Sequence, residues 1–184
     1  RLGLQVGDIA ADRTNRGGIL LREEAGRRAA RQGFEPESAR SSEEVGHGAS
    51  HGLDGDVAEL ISIDTAVVAE GQTSREDAVT VAMQDSSGPF DYHLTRRLLA
   101  LCRRHDIPHE RDVFDHYRSD AAAALEAGAA TRAALIGVGV DGTHGHERTH
   151  LDGIVALTRL LLAYAASPLT FSEFLDFSDL ETKL

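Results

Sequence analysis

A chain of 184 residues, 41% hydrophobic and 27% charged, can fold as one domain with a real core and is too apolar to be disordered over most of its length. Its 30 acidic residues against 19 basic ones leave a formal net charge of -11. That balance repels a nucleic-acid backbone, and the basic pairs Arg27-Arg28 and Arg103-Arg104 are too small to reverse it. No run approaches the ~20 apolar residues of a membrane span. The opening Arg1-Leu2-Gly3 has no signal-peptide pattern, and the single Cys102 cannot form an internal disulfide. These features point to the cytoplasm, with no nucleic-acid or membrane partner; a start without methionine is compatible with a fragment or a processed product.

Residues 1–12 read as a short strand, with Leu2, Leu4 and Val6 alternating up to Gly7-Asp8. Residues 13–42 carry many charges and few large apolar side chains, with one weak helical stretch from Glu23 to Gln32. In Glu43-Glu44-Val45-Gly46-His47-Gly48-Ala49-Ser50, two adjacent carboxylates precede a glycine-rich turn. Neighbouring acids leave the backbone in different directions, so one can bind a metal while the other acts as a base. The plain alternative is a solvated acidic turn.

Val57 to Val68 is an apolar, strand-like run that delivers Asp64, and Ala78 to Met83 is a second strand with β-branched alternation. A turn is expected at Ser86-Ser87-Gly88-Pro89. Leu94, Leu98, Leu99, Leu101 and Cys102 then recur at helical spacing until Ile107-Pro108, which places Cys102 in the core. Arg111 to Tyr117 reads as a short strand, and Ser119 as the N-cap of an alanine-rich helix ending near Gly128.

Ala133 to Val140 has a buried-strand pattern and leads into a histidine-rich loop. Thr149-His150-Leu151-Asp152 reads as a capping box, with Thr149 as the cap, for a long helix through about Ala166. The segment from Phe171 to Phe177 is acidic and aromatic, suited to docking on the body or on a partner. Strands alternating with helices specify an α/β layer fold whose ligands bind at the carboxyl ends of strands. Asp64 and the loop after Val140 both fall at such ends.

His146-Glu147-Arg148-Thr149-His150 matches the H-E-x-x-H pattern of single-zinc hydrolases, which needs both histidines on one helix. Gly142, Gly145 and the cap signal at Thr149 argue that the helix starts later than His146. A different use of this loop takes His144 as one ligand joining Glu44 and Asp64, since imidazole and carboxylate suit zinc, cobalt or manganese. Taken alone, a loop histidine is more often an ordinary surface residue than a ligand.

Several segments, in this order from about residue 41 to residue 165, resemble the glutamyl aminopeptidase and tetrahedral aminopeptidase family of dinuclear metallopeptidases. They are Ser42 to His51, Ser62-Ile63-Asp64, Gly88-Pro89-Phe90-Asp91-Tyr92-His93, Tyr117-Arg118-Ser119-Asp120-Ala121 and the His144 loop. The pattern is closest to a bacterial branch that accompanies synthesis of an N-acetylglutaminylglutamine amide osmoprotectant. The resemblance implies a three-layer α/β, mixed-sheet, zinc-peptidase-like catalytic domain that hydrolyses N-terminal peptide bonds. It also implies two divalent metal ions, zinc or cobalt, and a homo-oligomer acting on peptides.

By the same resemblance Glu43 is the general base, Glu44 a metal ligand, Asp64 the terminal ligand of the other metal, and His144 the histidine sharing a metal with Glu44. Asp120 takes a place behind the ligands or against the substrate. The family's upstream histidine ligand has no counterpart, and its metal-bridging aspartate falls where Leu21-Arg22-Glu23-Glu24-Ala25-Gly26 stands, with Glu23 or Glu24 as the substitutes. The chain then divides into a remnant lid-domain strand (1–12), a degenerate junction (13–42), the carboxyl-terminal part of an incomplete catalytic domain (43–166) and an acidic tail (167–184). With so few ligands, the expectation is weak metal binding and little peptidase activity from this chain alone. A non-catalytic assembly module and an H-E-x-x-H zinc hydrolase are the alternatives.

Overall fold

The computed structural model describes residues 11–14, 19–21, 57–129 and 131–171. The readings made for residues 1–10, for the Glu23–Gln32 helix, for Glu23, Glu24, Glu43 and Glu44, and for the tail beyond Phe171 lie outside the described residues. Two short strands, β1 (Ala11–Thr14) and β2 (Ile19–Leu21), fall in the stretch the sequence leaves least legible. They pair antiparallel with each other, and β1 pairs antiparallel with β3 (Val57–Val67). Edge pairing uses backbone groups, so β1, Ala-Asp-Arg-Thr with no large apolar residue, can still complete a ladder, whereas β2 is Ile19-Leu20-Leu21.

The remaining elements are β4 (Val79–Asp85), β5 (Gly88–Pro89), α1 (Tyr92–Arg104), β6 (His109–Val113), α2 (Asp120–Glu126), β7 (Arg132–Val140) and α3 (Leu151–Ala165). The sheet runs β2-β1-β3-β7-β4-β5, with β6 also on β4. β3 and β7 are parallel, β4 and β6 are parallel, and β4 runs antiparallel to β7. The sheet is therefore mixed, as expected.

Alternation along the strands builds two cores. Ile61, Ile63, Val79, Val81, Ile136 and Val138 meet Leu94, Leu98 and Cys102 of α1 and Leu157, Leu160 and Tyr164 of α3. Leu60, Ala66, Ala82 and Leu135 face the other way, onto Ala121 and Ala124 of α2 with Phe90 and Phe114. Helices on both faces make three layers. β7 is buried from Ala133 to Val140, which explains its unbroken apolar sequence. Burial pushes the Cys102 thiol up to about 12, so this cysteine is core, as expected.

Three local readings are corrected. The strand read at Arg111–Tyr117 lies at His109–Val113, where parallel pairing with β4 sets its limits. Beyond it Phe114 turns inward, and the Tyr117 N–H closes a turn on the Phe114 carbonyl. In the turn after β4, Gly88 and Pro89 fold back to pair with Asp85 and Gln84. The cap of α3 is His150, whose Nδ1 accepts the Asp152 N–H at 3.1 Å. Thr149 instead donates its hydroxyl to the Gly139 carbonyl at 2.6 Å, an attachment to β7 that no local pattern announces.

Candidate active site

The site is built where the parallel strands β3 and β7 run out. Asp64 sits on β3 opposite Gly137 and shares its face with Leu60 and Ala66. Its Oδ1 accepts the Thr65 N–H at 2.7 Å and the Thr65 hydroxyl at 3.5 Å. Burial pushes the Asp64 carboxyl above its ordinary range, although the Thr65 bonds and the charge of His144 oppose the rise, and Glu147 adds to it. A partly buried carboxylate held this way favours a neighbouring cation.

That neighbourhood comes from residues 141–148. Asp141 and Arg148 form an antiparallel bridge, with backbone bonds of 2.9 and 3.0 Å, so the loop after β7 doubles back on itself. Gly142 at φ +76° and His144 at φ +60° make the turn. For a non-glycine residue such as His144, that conformation is held at a cost. The Glu147 carboxylate supports it by accepting the His144 backbone N–H at 3.1 Å. His144 and Glu147 are thereby brought close enough to Asp64 to act on its charge.

The loop is fastened from outside. Arg148 donates from Nε and Nη2 to Glu76 Oε1 at 3.1 and 2.9 Å, and its Nη2 lies 3.2 Å from Asp141 Oδ2. The backbone of Arg75 and Glu76 packs directly on Gly139 and Gly153, where a β-carbon would collide with their carbonyl oxygens. Without side chains at those two positions, the segment before β4 can seat against the end of β7 and the first turn of α3.

Of the expected site residues, the structure brings Asp64 and His144 to one end of the sheet. Asp120 opens α2 behind its cap Ser119, which is tied to Asp85 where β4 ends and β7 begins. It is thus at the other end of β7 from the His144 loop. His146 and His150 do not share a helix, because α3 begins at Leu151, so the H-E-x-x-H reading lacks its geometry. Sequence reasoning missed Glu147 as a neighbour of Asp64, and missed Glu76 and Arg148 as the loop's fastening. The H-E pair at 146–147 was the available signal, read for the wrong purpose. Among the described residues no three potential ligands converge on one point.

A family model for M42 glutamyl aminopeptidase matches residues 18–160. Over 129 residues the chain is 33% identical to YhfE of Bacillus subtilis (strain 168), named as a candidate aminopeptidase. The match covers 70% of this chain but 37% of that relative, so the chain spans little more than a third of its length. Among solved structures, an aminopeptidase from the archaeon Desulfurococcus kamchatkensis superposes with a TM-score of 0.61 at 17% identity, covering 67% of this chain and 38% of that one. A TET aminopeptidase from a marine sediment archaeon, Thaumarchaeota archaeon SCGC AB-539-E09, gives 0.57 at 19% identity over 86% of this chain and 46% of its own. The TET1 peptidase of Pyrococcus horikoshii, which can assemble into a tetrahedron or a large octahedral shell, gives 0.58 at 19% identity over 67% and 38%. These likenesses support the same mixed-sheet fold, and the extent of the family match settles descent: the chain belongs to the M42 glutamyl aminopeptidase family.

Proposed function

We propose that this chain supplies part of the catalytic centre of a metal-dependent aminopeptidase. The observation that supports the reading is that Asp64 and the loop carrying His144 fall at the same, carboxyl end of two paired parallel strands, in a family of peptidases. A carboxylate and an imidazole fit a divalent cation such as zinc in kind. In number they fall short of a full set, and Glu44 is the further ligand under this reading. When bound, such ions polarise a scissile carbonyl and activate water for hydrolysis.

The chain's own residues divide the remaining work. Glu43 accepts a proton from the attacking water and returns it to the departing amine. Asp64 would hold a cation with its Oδ1 already anchored by the Thr65 N–H, so its carboxylate would need little rearrangement. Glu147 holds the strained backbone of His144, which fixes where the imidazole emerges.

Zinc titration followed by calorimetry, on the wild type beside Asp64→Asn, His144→Ala and Glu44→Ala, tests the assignment. The expected result is weak binding by the wild type, diminished in all three variants, with little turnover of dipeptide substrates. Binding that ignores His144 and Asp64 would overturn the site. Tight uptake of two ions with rapid turnover would overturn the shortage of ligands and point to Glu23 or Glu24 as a bridge.

A second reading, an assembly surface, is favoured by Leu151, Val155 and Leu162, which are 68%, 47% and 66% exposed along α3. Sedimentation of the wild type beside Leu151→Ser with Leu162→Ser separates the two, since only assembly depends on that face.

A further inference from the structure

The inner side of α3 is its core side, where Gly153, Ala156, Leu157, Leu160 and Tyr164 are buried. A second apolar row runs down its outer side. Leu151, Val155 and Leu162 are exposed there at helical spacing, and the exposed Thr158 fills the gap between the last two. The Thr158 hydroxyl donates to the Ile154 carbonyl of its own helix at 2.9 Å, so its polar atom is already satisfied. The row therefore presents apolar or internally satisfied side chains over about three turns.

Two charges border this row, and at 100° per residue they fall on the same flank. Asp152 lies beside Leu151, with its carboxylate 3.4 Å from His150 Nδ1. Arg159 lies beside Thr158 and Leu162, and its Nη2 donates to the His105 carbonyl at 2.6 Å. That bond leaves the guanidinium's charge unmatched, and no carboxylate among the described residues pairs with it. The other flank carries Ile154 and Leu161, both apolar and partly buried.

We infer that α3 packs antiparallel against α3 of a second copy of this chain, about a two-fold axis beside residues 156 and 157. The inference rests on the assembly reading of this face and names its partner. Leu151 of each copy then meets Leu162 of the other, and Val155 meets Thr158. A two-fold axis of this kind keeps like flanks together. Asp152 of each copy accordingly lies within about 3 Å, along the helix, of the level of Arg159 of the other, a gap that an arginine side chain spans. Parallel packing would set Asp152 against the apolar flank instead. A different partner would have to offer an apolar row with a base and an acid in reverse order along one edge, and this helix turned end for end already offers them. Antiparallel helix dipoles act in the same direction.

Sedimentation equilibrium of the full chain, beside Asp152→Arg, Arg159→Asp, and Leu151→Ser with Leu162→Ser, reads the dimer constant. The wild type is expected to dimerise reversibly, and the double serine variant to stay monomeric. Each charge variant alone should bind itself roughly tenfold more weakly, because two like-charge contacts replace two opposite ones. Mixing the two charge variants in equal amounts should restore dimers, since the mixed pair opposes acid to base at both contacts. If Asp152→Arg fails to fold, oxidation of Val155→Cys mixed with Thr158→Cys decides instead, with the native Cys102 buried out of reach. Disulfide-linked heterodimers are expected there, and their absence overturns the pairing. A monomeric wild type, or a dimer indifferent to the serine substitutions, overturns both this pairing and the assembly reading. A dimer that needs the leucines but ignores the charge variants, or is not restored by mixing them, keeps the assembly face and overturns the antiparallel pairing alone.

Discussion

The α-carbon of Gly153, in the first turn of α3, faces the carbonyl oxygen of Glu76 so closely that a β-carbon has no room between them. Val138 closes the same space from the side, so neither neighbour can yield without moving a core strand or the segment before β4. Gly153→Ala is therefore expected to destabilise the fold by about 1–3 kcal/mol, the usual cost of overpacking, despite the better helix propensity of alanine. Urea unfolding measures it; a midpoint unchanged from the wild type would show that the segment moves freely.

Glu76 is also the residue that receives Arg148, so the same backbone contact sets the anchor of the His144 loop. Arg148→Met keeps the side chain's bulk and removes the tether. Partners that orient a metal ligand indirectly are commonly worth 10–100-fold in metal affinity. Under the proposed function, zinc binding should weaken by about tenfold. Thermal stability without metal should barely change, because exposed ion pairs contribute little. Equal zinc affinity in the variant would remove the loop anchor from the account.

Asp85 is wholly buried at the end of β4. Its carboxylate accepts the Ser119 N–H and hydroxyl at 2.9 and 2.7 Å, and the N–H and hydroxyl of Ser87. Burial alone would raise its carboxyl, but the bonds from Ser87 and Ser119 outweigh burial and hold it below the ordinary value. A depressed native value means that the stabilisation is present in full above the unfolded carboxylate's pKa, about 3.9, and is lost as pH falls through the lower native one. Asp85→Asn should cost about 1–3 kcal/mol near neutrality and should flatten the acid limb of the stability curve. Urea midpoints between about pH 2 and pH 6 give both, and an acid limb as steep as the wild type's would contradict the assignment.

His150 caps α3 through Nδ1, so His150→Ala should cost up to about 1 kcal/mol of stability and leave zinc binding unchanged. His144→Ala should do the reverse. Calorimetry and thermal melts on the two variants separate a structural histidine from a candidate ligand six residues before it. Loss of zinc with His150→Ala would restore the H-E-x-x-H reading.

Much of the architecture was legible because it depends on local chemistry. The apolar run ending near Val67 could only be a strand at its length and β-branched content. The leucine spacing of α1 and the serine before the alanine run likewise marked elements that form where expected, with Ser119 accepting the Ala122 N–H as a cap. The family resemblance rested on similarly local strings, among them Gly88 to His93 and Tyr117 to Ala121.

What tertiary structure decided lies in contacts between residues far apart in the chain. Thr149 looked like a cap, yet Gly139 of β7 takes its hydroxyl and leaves the cap to His150. Asp64 and His144 each read as one residue at a strand end. Parallel pairing of β3 with β7 makes those ends adjacent, and the Arg148–Glu76 tether fastens the loop to the segment before β4. Sequence by itself determined which segments could be strands, helices and caps, since those preferences act over a few residues. Which side chains meet was decided by strand order and by backbone approaches such as Glu76 on Gly153, because they join positions whose separation along the chain carries no local signal.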